Sequence, residues 1–187
     1  MPILPREPDI FPTDLFAREN CASGSEKSWW VLHAKPRQEK SLARELHAAN
    51  TFFYLPMISR RSQFRGRWLT SYVPLFSGYV FLLVDRDERA AAQSTSRVVS
   101  ALAVTDQQRL WRDLSQIYQL ICSNVPITPE DRLAPGVLVE IRHGPLAGLR
   151  GKILESASRR RFVVQVDFIQ RGASILLEDT ALAPVAG

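Results

Sequence analysis

"SYVPLFSGYVFLLVD" (residues 71–85) decides how this chain folds. Pro74 opens an apolar run, Ser77-Gly78 interrupts it once, and Tyr79 and Phe81 follow two residues apart. On a β-strand those two rings share one face, while Val80 and Leu82 occupy the other. Gly78 admits a bulge or a close backbone approach that a side chain would obstruct. A strand with two apolar faces needs a layer on each. If helices cover one face, the other faces a further layer or a partner, because an open apolar sheet face is unusual in a monomer.

Working outward, "RRSQFRGRW" (60–68) precedes this strand and sets Arg60, Arg61, Arg65 and Arg67 around Phe64 and Trp68, with no acidic residue from 56 to 74. Gly66 marks a hairpin tip. Guanidinium groups interleaved with aromatic rings suit phosphate contact plus base stacking, and a solvated basic loop is the plain structural alternative. Upstream, "WWVLHAKP" reads as a strand ended by Pro36. In "RQEKSLARELHAAN", Leu42, Leu46 and Ala49 fall on one helical face and Asn50 supplies a stop. "TFFYLPMIS" is strand-like. Downstream, "DRDERAAAQSTS" predicts a short helix and "RVVSALAV" a strand. Thr105 with Gln108 predicts a capping box ahead of Leu110, Leu114, Ile117, Tyr118 and Ile121 at helical spacing. This order describes an α+β sandwich over 28–122.

Residues 1–27 carry four prolines and little periodicity, and read as a flexible extension in which Phe11 and Phe16 are the one hydrophobic pair that suggests docking. "SNVPITPEDRLAPG" supplies a linker over 123–134. Beyond it, 135–187 alternates Val137, Val139, Ile141 and then Phe162, Val164, Val166, Phe168 between glycine-bearing turns, the pattern of a small β-barrel. Gly144, Gly148 and Gly151 fit tight turns between short strands, and their spacing differs from that of a phosphate-binding loop. Arg159, Arg160 and Arg161 read as a basic hairpin tip.

Of the net charge of +5, the excess belongs to 28–125, with thirteen basic and seven acidic groups, which points modestly to a polyanionic neighbour. The two cysteines, Cys21 and Cys122, are far apart, and a reduced, cytoplasmic setting accommodates them. No apolar run approaches the roughly 20 residues of a membrane helix, and the first residues lack a signal-peptide pattern. His33, His47 and His143 have no second ligand at metal-binding spacing, and neither a nucleophile elbow nor a dinucleotide fingerprint occurs. The expectation is a binding protein without metal or cofactor, not an enzyme.

"WWVLHAKPRQEK", "YLPM" and "PLFSGYVFLLVD" resemble, in that order and spacing, the N-terminal (NGN) domain of the NusG family of transcription elongation factors. "LAPGVLVEIRHGPLAGLRGKILE" resembles a KOW motif, found in that family's C-terminal domain and in ribosomal proteins. The pattern is closer to specialised RfaH-like paralogues than to the housekeeping factor. The resemblance implies a ferredoxin-like α+β domain followed by a five-stranded SH3-like barrel. It also implies docking on the clamp helices of RNA polymerase's largest subunit through Phe76, Tyr79 and Phe81, with Trp30 and His33 beside them on the first strand. The basic hairpin would face upstream or non-template DNA. The barrel would recruit a ribosomal protein or Rho, and would keep its β-structure, given the β-branched, alternating "FVVQVDFI". Where the resembling paralogue carries His-Thr-Thr to bridge to the polymerase's second-largest subunit, this chain has Arg89, Ala90 and Ala91, so the hydroxyls of that bridge are missing. A KOW-type RNA-binding accessory protein of the ribosome is the alternative; it would prefer basic residues where Phe76, Tyr79 and Phe81 stand.

Overall fold

The computed structural model describes residues 7–17, 26–131, 136–156, 159–176 and 182–184. The chain divides into two compact units, 1–111 and 112–187. Among the described residues it is mixed α+β, with three α-helices, a five-stranded sheet, a six-stranded sheet and a two-stranded ribbon.

The first unit begins with a two-residue strand β1 (Ile10–Phe11), followed by β2 (Ser28–Ala34), α1 (Glu39–Ala48), β3 (Phe53–Tyr54) and the hairpin strands β4 (Met57–Phe64) and β5 (Arg67–Pro74). Then come β6 (Tyr79–Val84), α2 (Arg86–Gln93), β7 (Val98–Ala103) and α3 (Gln107–Cys122), which runs past the division at 111. Its sheet has the order β1-β3-β6-β2-β7, antiparallel at every junction. Setting β1 aside, β3 and β2 run the same way with β6 between them, and β6 and β7 with β2 between them. These are two interleaved split βαβ units. The hairpin β4–β5 forms a separate two-stranded ribbon.

Local chemistry explains where these elements stop. Asn50, just past α1, takes φ +54°, the left-handed conformation that ends helices and that asparagine tolerates. Asp85 caps α2, accepting from the Asp87 and Glu88 N–H groups at 2.9 Å each, while Glu88 reaches back to the Asp85 N–H at 3.1 Å. This is a complete capping box. At α3 the cap is one residue later than the Thr105–Gln108 pattern predicts: Asp106 accepts from the Arg109 N–H at 2.9 Å. Aspartate is the stronger N-cap, which accounts for the shift.

One face of the sheet packs Leu32, Val80, Leu82 and Val84 against Leu42, Ala43 and Leu46 of α1 and Ala92 of α2. On the other face Trp29 lies opposite Leu83, Val31 opposite Phe81, and His33 opposite Tyr79. Most of this second face is also buried. Residues 7–17, expected within a flexible extension, form part of its cover. Leu15 is fully buried, and Phe16 stacks on Trp29 at 6.2 Å and meets Tyr54 edge-on at 5.0 Å. β1 pairs with β3, the Asp9 carbonyl accepts from the Leu55 N–H, and Glu7 pairs with Arg44. Residues 1–6 and 18–25 of that expected extension lie outside the described residues.

The second unit has β8 (Thr128–Glu130), β9 (Val137–Ile141), β10 (Arg150–Ser156), β11 (Arg159–Val166), a 3₁₀ turn (Asp167–Ile169), β12 (Arg171–Leu176) and β13 (Leu182–Pro184). The sheet order is β13-β9-β10-β11-β12-β8. The sixth described strand, β8, lies in the stretch read as linker; Glu130 ties it to β12 by accepting from the buried Ser174 hydroxyl at 2.6 Å, and to β11 by accepting from Arg161 at 3.0 Å. Val139, Ile141, Phe162, Val164, Val166, Ala173 and Ile175 make the core. Phe168, on the expected alternation, falls in the 3₁₀ turn, and Ile169 is buried instead. Pro135 and the side chains of Arg159 and Arg160 lie outside the described residues.

Candidate functional site: an aromatic sheet end and a basic arm

Two surfaces of the first unit hold the residues singled out by sequence. The first is the end of β2 and β6 where His33 and Tyr79 stand opposite each other. Their rings lie 5.6 Å apart at 29°, His33 exposed and Tyr79 half-buried. Behind them, Phe76 meets Phe81 edge-on at 6.3 Å.

Phe76 and Phe81 are 1% and 0% exposed, so they back this surface and do not themselves offer area to a partner. Phe81 lies on a strand with neighbours on both sides, opposite Val31 of β2 and Tyr54 of β3, which is why its ring is enclosed. Trp30 leaves the set altogether. It pairs with Leu82 and Ala103, packs against the α1–α2 core, and points away from His33. Its indole N–H donates to Ser28 Oγ at 3.0 Å, and the Arg89 guanidinium lies 4.2 Å over its ring. Arg89, at the place of the paralogue's bridging element, is thus turned onto Trp30, while Ala90 and Ala91 are exposed.

Two residues that sequence reasoning passed over belong beside His33. Ser100 of β7 lies opposite it, and Leu102, 39% exposed, lies opposite Val31 on the same face. The signal was the apolar alternation within "RVVSALAV", which identifies a strand without saying which of its sides stays open.

The second surface is the arm β4–β5. Arg65 and Gly66 form its tip with φ +48° and +77°, the pair of positive values that a two-residue type I′ hairpin requires. Every described side chain from Ser59 to Tyr72 is exposed. The register divides the arginines. Arg60 and Arg67 share a face with Leu69, whereas Arg61 shares the opposite face with Trp68 and Tyr72, and Arg65 stands at the tip. Arg61 lies 4.6 Å over the Trp68 ring, and Trp68 and Leu69 are 59% and 50% exposed. The side chain of Phe64 lies outside the described residues. An acid-free arm of this kind presents cations and the exposed Trp68 and Tyr72 rings to whatever lies alongside it.

In the second unit the three glycines have separate reasons. Gly144 and Gly148 take φ +92° and +88° in the loop between β9 and β10. Gly151 is a close approach: a Cβ there would lie 2.4 Å from the Val163 carbonyl oxygen. All three requirements are structural. Among the described residues no cluster of three or more His, Cys, Asp or Glu side chains is placed to hold a metal, and no helix is long and apolar enough to cross a membrane.

Residues 27–118 match the family model described as "Transcription termination factor nusG". Two solved structures resemble the chain over most of its length. One, described as "Domain interaction in Thermotoga maritima NusG", is 16% identical, covers 86% of this chain and 98% of its own, and has a TM-score of 0.49. The other, "Crystal Structure of MjSpt4:Spt5 complex conformation B", is 14% identical, covers 85% and 99%, and has a TM-score of 0.28. At those identities and scores neither decides a residue's role. Among curated proteins there is no match.

Proposed function

We propose that the chain is a transcription elongation factor that works by binding and not by catalysis. The His33–Tyr79 end of the sheet docks on the clamp helices of RNA polymerase's largest subunit, and the arm runs along upstream or non-template DNA. The observation that carries this reading is the His33–Tyr79 ring pair, His33 exposed and Tyr79 half-buried, which with Ser100 and Leu102 forms the open part of a sheet face mostly buried elsewhere, within the segment that matches the NusG model. A small aromatic surface on a rigid backing is suited to accept side chains from a helix.

In this reading the first unit is ferredoxin-like and the second is a KOW barrel that recruits a ribosomal protein or Rho. The chain acts as a monomer in the cytoplasm and belongs with the RfaH-like specialised factors. Because Arg89 stacks on Trp30 and Ala90 and Ala91 lack hydroxyls, the bridge to the second-largest subunit is weak. Ribosomal RNA binding through the same surface is disfavoured, since the described neighbours Tyr79, Ser100 and Leu102 carry no positive charge.

The test is co-purification of core RNA polymerase with the wild-type chain and with Tyr79→Ala. Retention by wild type and loss of at least about tenfold in affinity for the variant is the expected result, equivalent to about 1.4 kcal/mol. Equal retention of both proteins, or of neither, refutes docking through this surface.

A further inference from the structure

The turn that presents Tyr79 is held by a buried carboxylate. Glu39 is one of three polar or charged residues in the buried set, at 4% exposure, and it stands in the first turn of α1. Its Oε1 accepts from the Gly78 N–H at 2.8 Å, a fully buried bond between residues 39 apart in sequence. Anionic oxygens are favoured at a helix N-terminus, and burial strengthens a bond to one.

Gly78 is fixed from two other sides. Its carbonyl accepts from the Ala34 N–H at 2.8 Å, at the point where the β2–β7 register shifts between His33 and Ala34. With φ +85° it occupies the left-handed region, and the place of a Cβ is 3.4 Å from Cδ2 and Nε2 of His33. The imidazole therefore rests against the glycine itself. Tyr79 follows, its N–H donating to the Phe76 carbonyl at 3.1 Å.

We infer that Glu39 is a positioning residue for the docking surface: through the Gly78 N–H it fixes the Phe76–Tyr79 turn, and the turn sets the His33–Tyr79 ring pair. The geometric half of this inference stands alone. Its effect on polymerase affinity rests on the reading given under Proposed function.

The experiment uses the full chain and two readouts: the His33 ring resonances by NMR and affinity for core RNA polymerase. Tyr79→Ala defines the resonance positions of an unstacked His33. Glu39→Gln keeps an oxygen acceptor and is expected to hold both readouts at wild type, within about twofold in affinity. Glu39→Ala is expected to move the His33 resonances toward the Tyr79→Ala positions and to weaken polymerase binding about tenfold. Glu39→Asp keeps the charge but withdraws the acceptor from the Gly78 N–H by one methylene, and is expected to shift the same resonances in part, which keeps the test open if Glu39→Ala does not fold. Unmoved His33 resonances in a folded Glu39→Ala protein overturn the inference, and so do unmoved resonances in Glu39→Asp. Loss in Glu39→Gln equal to that in Glu39→Ala overturns the acceptor role. If the wild type ignores polymerase while Glu39→Ala still moves His33, the positioning stands and the docking function falls.

Discussion

Two segments lie outside the four-strand pattern of the first unit, and they behave in opposite ways. Residues 7–17 have little regular structure, with a two-residue strand, yet Leu15 enters the core, the half-buried Phe16 packs on Trp29 and Tyr54, and Glu7, Asp9 and Phe11 add contacts along the way. The arm β4–β5 has sixteen residues of regular strand in perfect register and buries almost nothing beyond its base. Regular hydrogen bonding and burial are separate matters. A two-stranded ribbon alone is marginal in water, so the arm stays ordered because its base is anchored at Met57 and Leu75, both buried. The first segment contributes stability, and the second offers surface.

The largest effect expected from that contrast is on folding. Leu15→Ala removes a fully buried side chain and should cost about 2–5 kcal/mol, visible as a lowered midpoint in thermal or urea unfolding. Phe16→Ala should also red-shift tryptophan emission, because the Phe16 ring is stacked on Trp29. If both substitutions leave the midpoint in place, residues 7–17 are not part of the core. On the arm the balance reverses. Trp68→Ala should change stability by no more than about 0.5 kcal/mol while weakening single-stranded DNA binding by about 1–3 kcal/mol, read by fluorescence titration or gel shift. Equal DNA affinity of variant and wild type would leave Trp68 as an inert surface ring.

How much of this was legible depends on the kind of contact. Strand and helix positions follow short-range periodicity, so β2, α1, β6 and the Leu110–Leu114–Ile117 face of α3 were readable, as was the hairpin tip at Gly66. The D-x-x-E box at Asp85 and Glu88 is equally local. Trp30 was also decidable, because residues three apart on a strand face opposite ways, and His33 and Trp30 therefore cannot share a surface. Burial of Phe76 and Phe81 was not decidable. Parity groups Phe81 with Tyr79, but only the pairing with β3 and the neighbouring Phe76 show which of the two is covered. The same holds for β1 and β8, whose strand partners lie more than 40 residues away (Phe11 opposite Phe53, Glu130 opposite Gly172) and whose neighbouring prolines read as looseness.

The split of the arginines across the arm sharpens the comparison at the next scale. A phosphate contact shows in the salt dependence of binding, with a slope of about 0.7 to 0.9 per contact in log K against log salt for single and double strands. Arg61 shares its face with Trp68, so Arg61→Gln should lower both the slope, by about one contact, and the stacking contribution. Arg60→Gln, on the opposite face, should lower the slope alone if nucleic acid wraps both faces, and change nothing if one face binds. Titrations of both variants at several salt concentrations identify the bound face.

The smallest effect concerns the tip. Arg65 takes φ +48° with a full side chain, a conformation that asparagine adopts more readily. Arg65→Asn should therefore improve the turn by a few tenths of a kcal/mol while removing one cation. Those two consequences have opposite signs for nucleic-acid binding. If the arm binds because it is a preformed ribbon, the variant holds most of its affinity and amide exchange near the tip slows. If it binds as a collection of charges, affinity falls with the salt slope, however well the turn forms. A variant that orders the tip and yet loses as much affinity as Arg61→Gln would show that ribbon geometry contributes little, and that the arm's regular strands serve only to carry its cations outward.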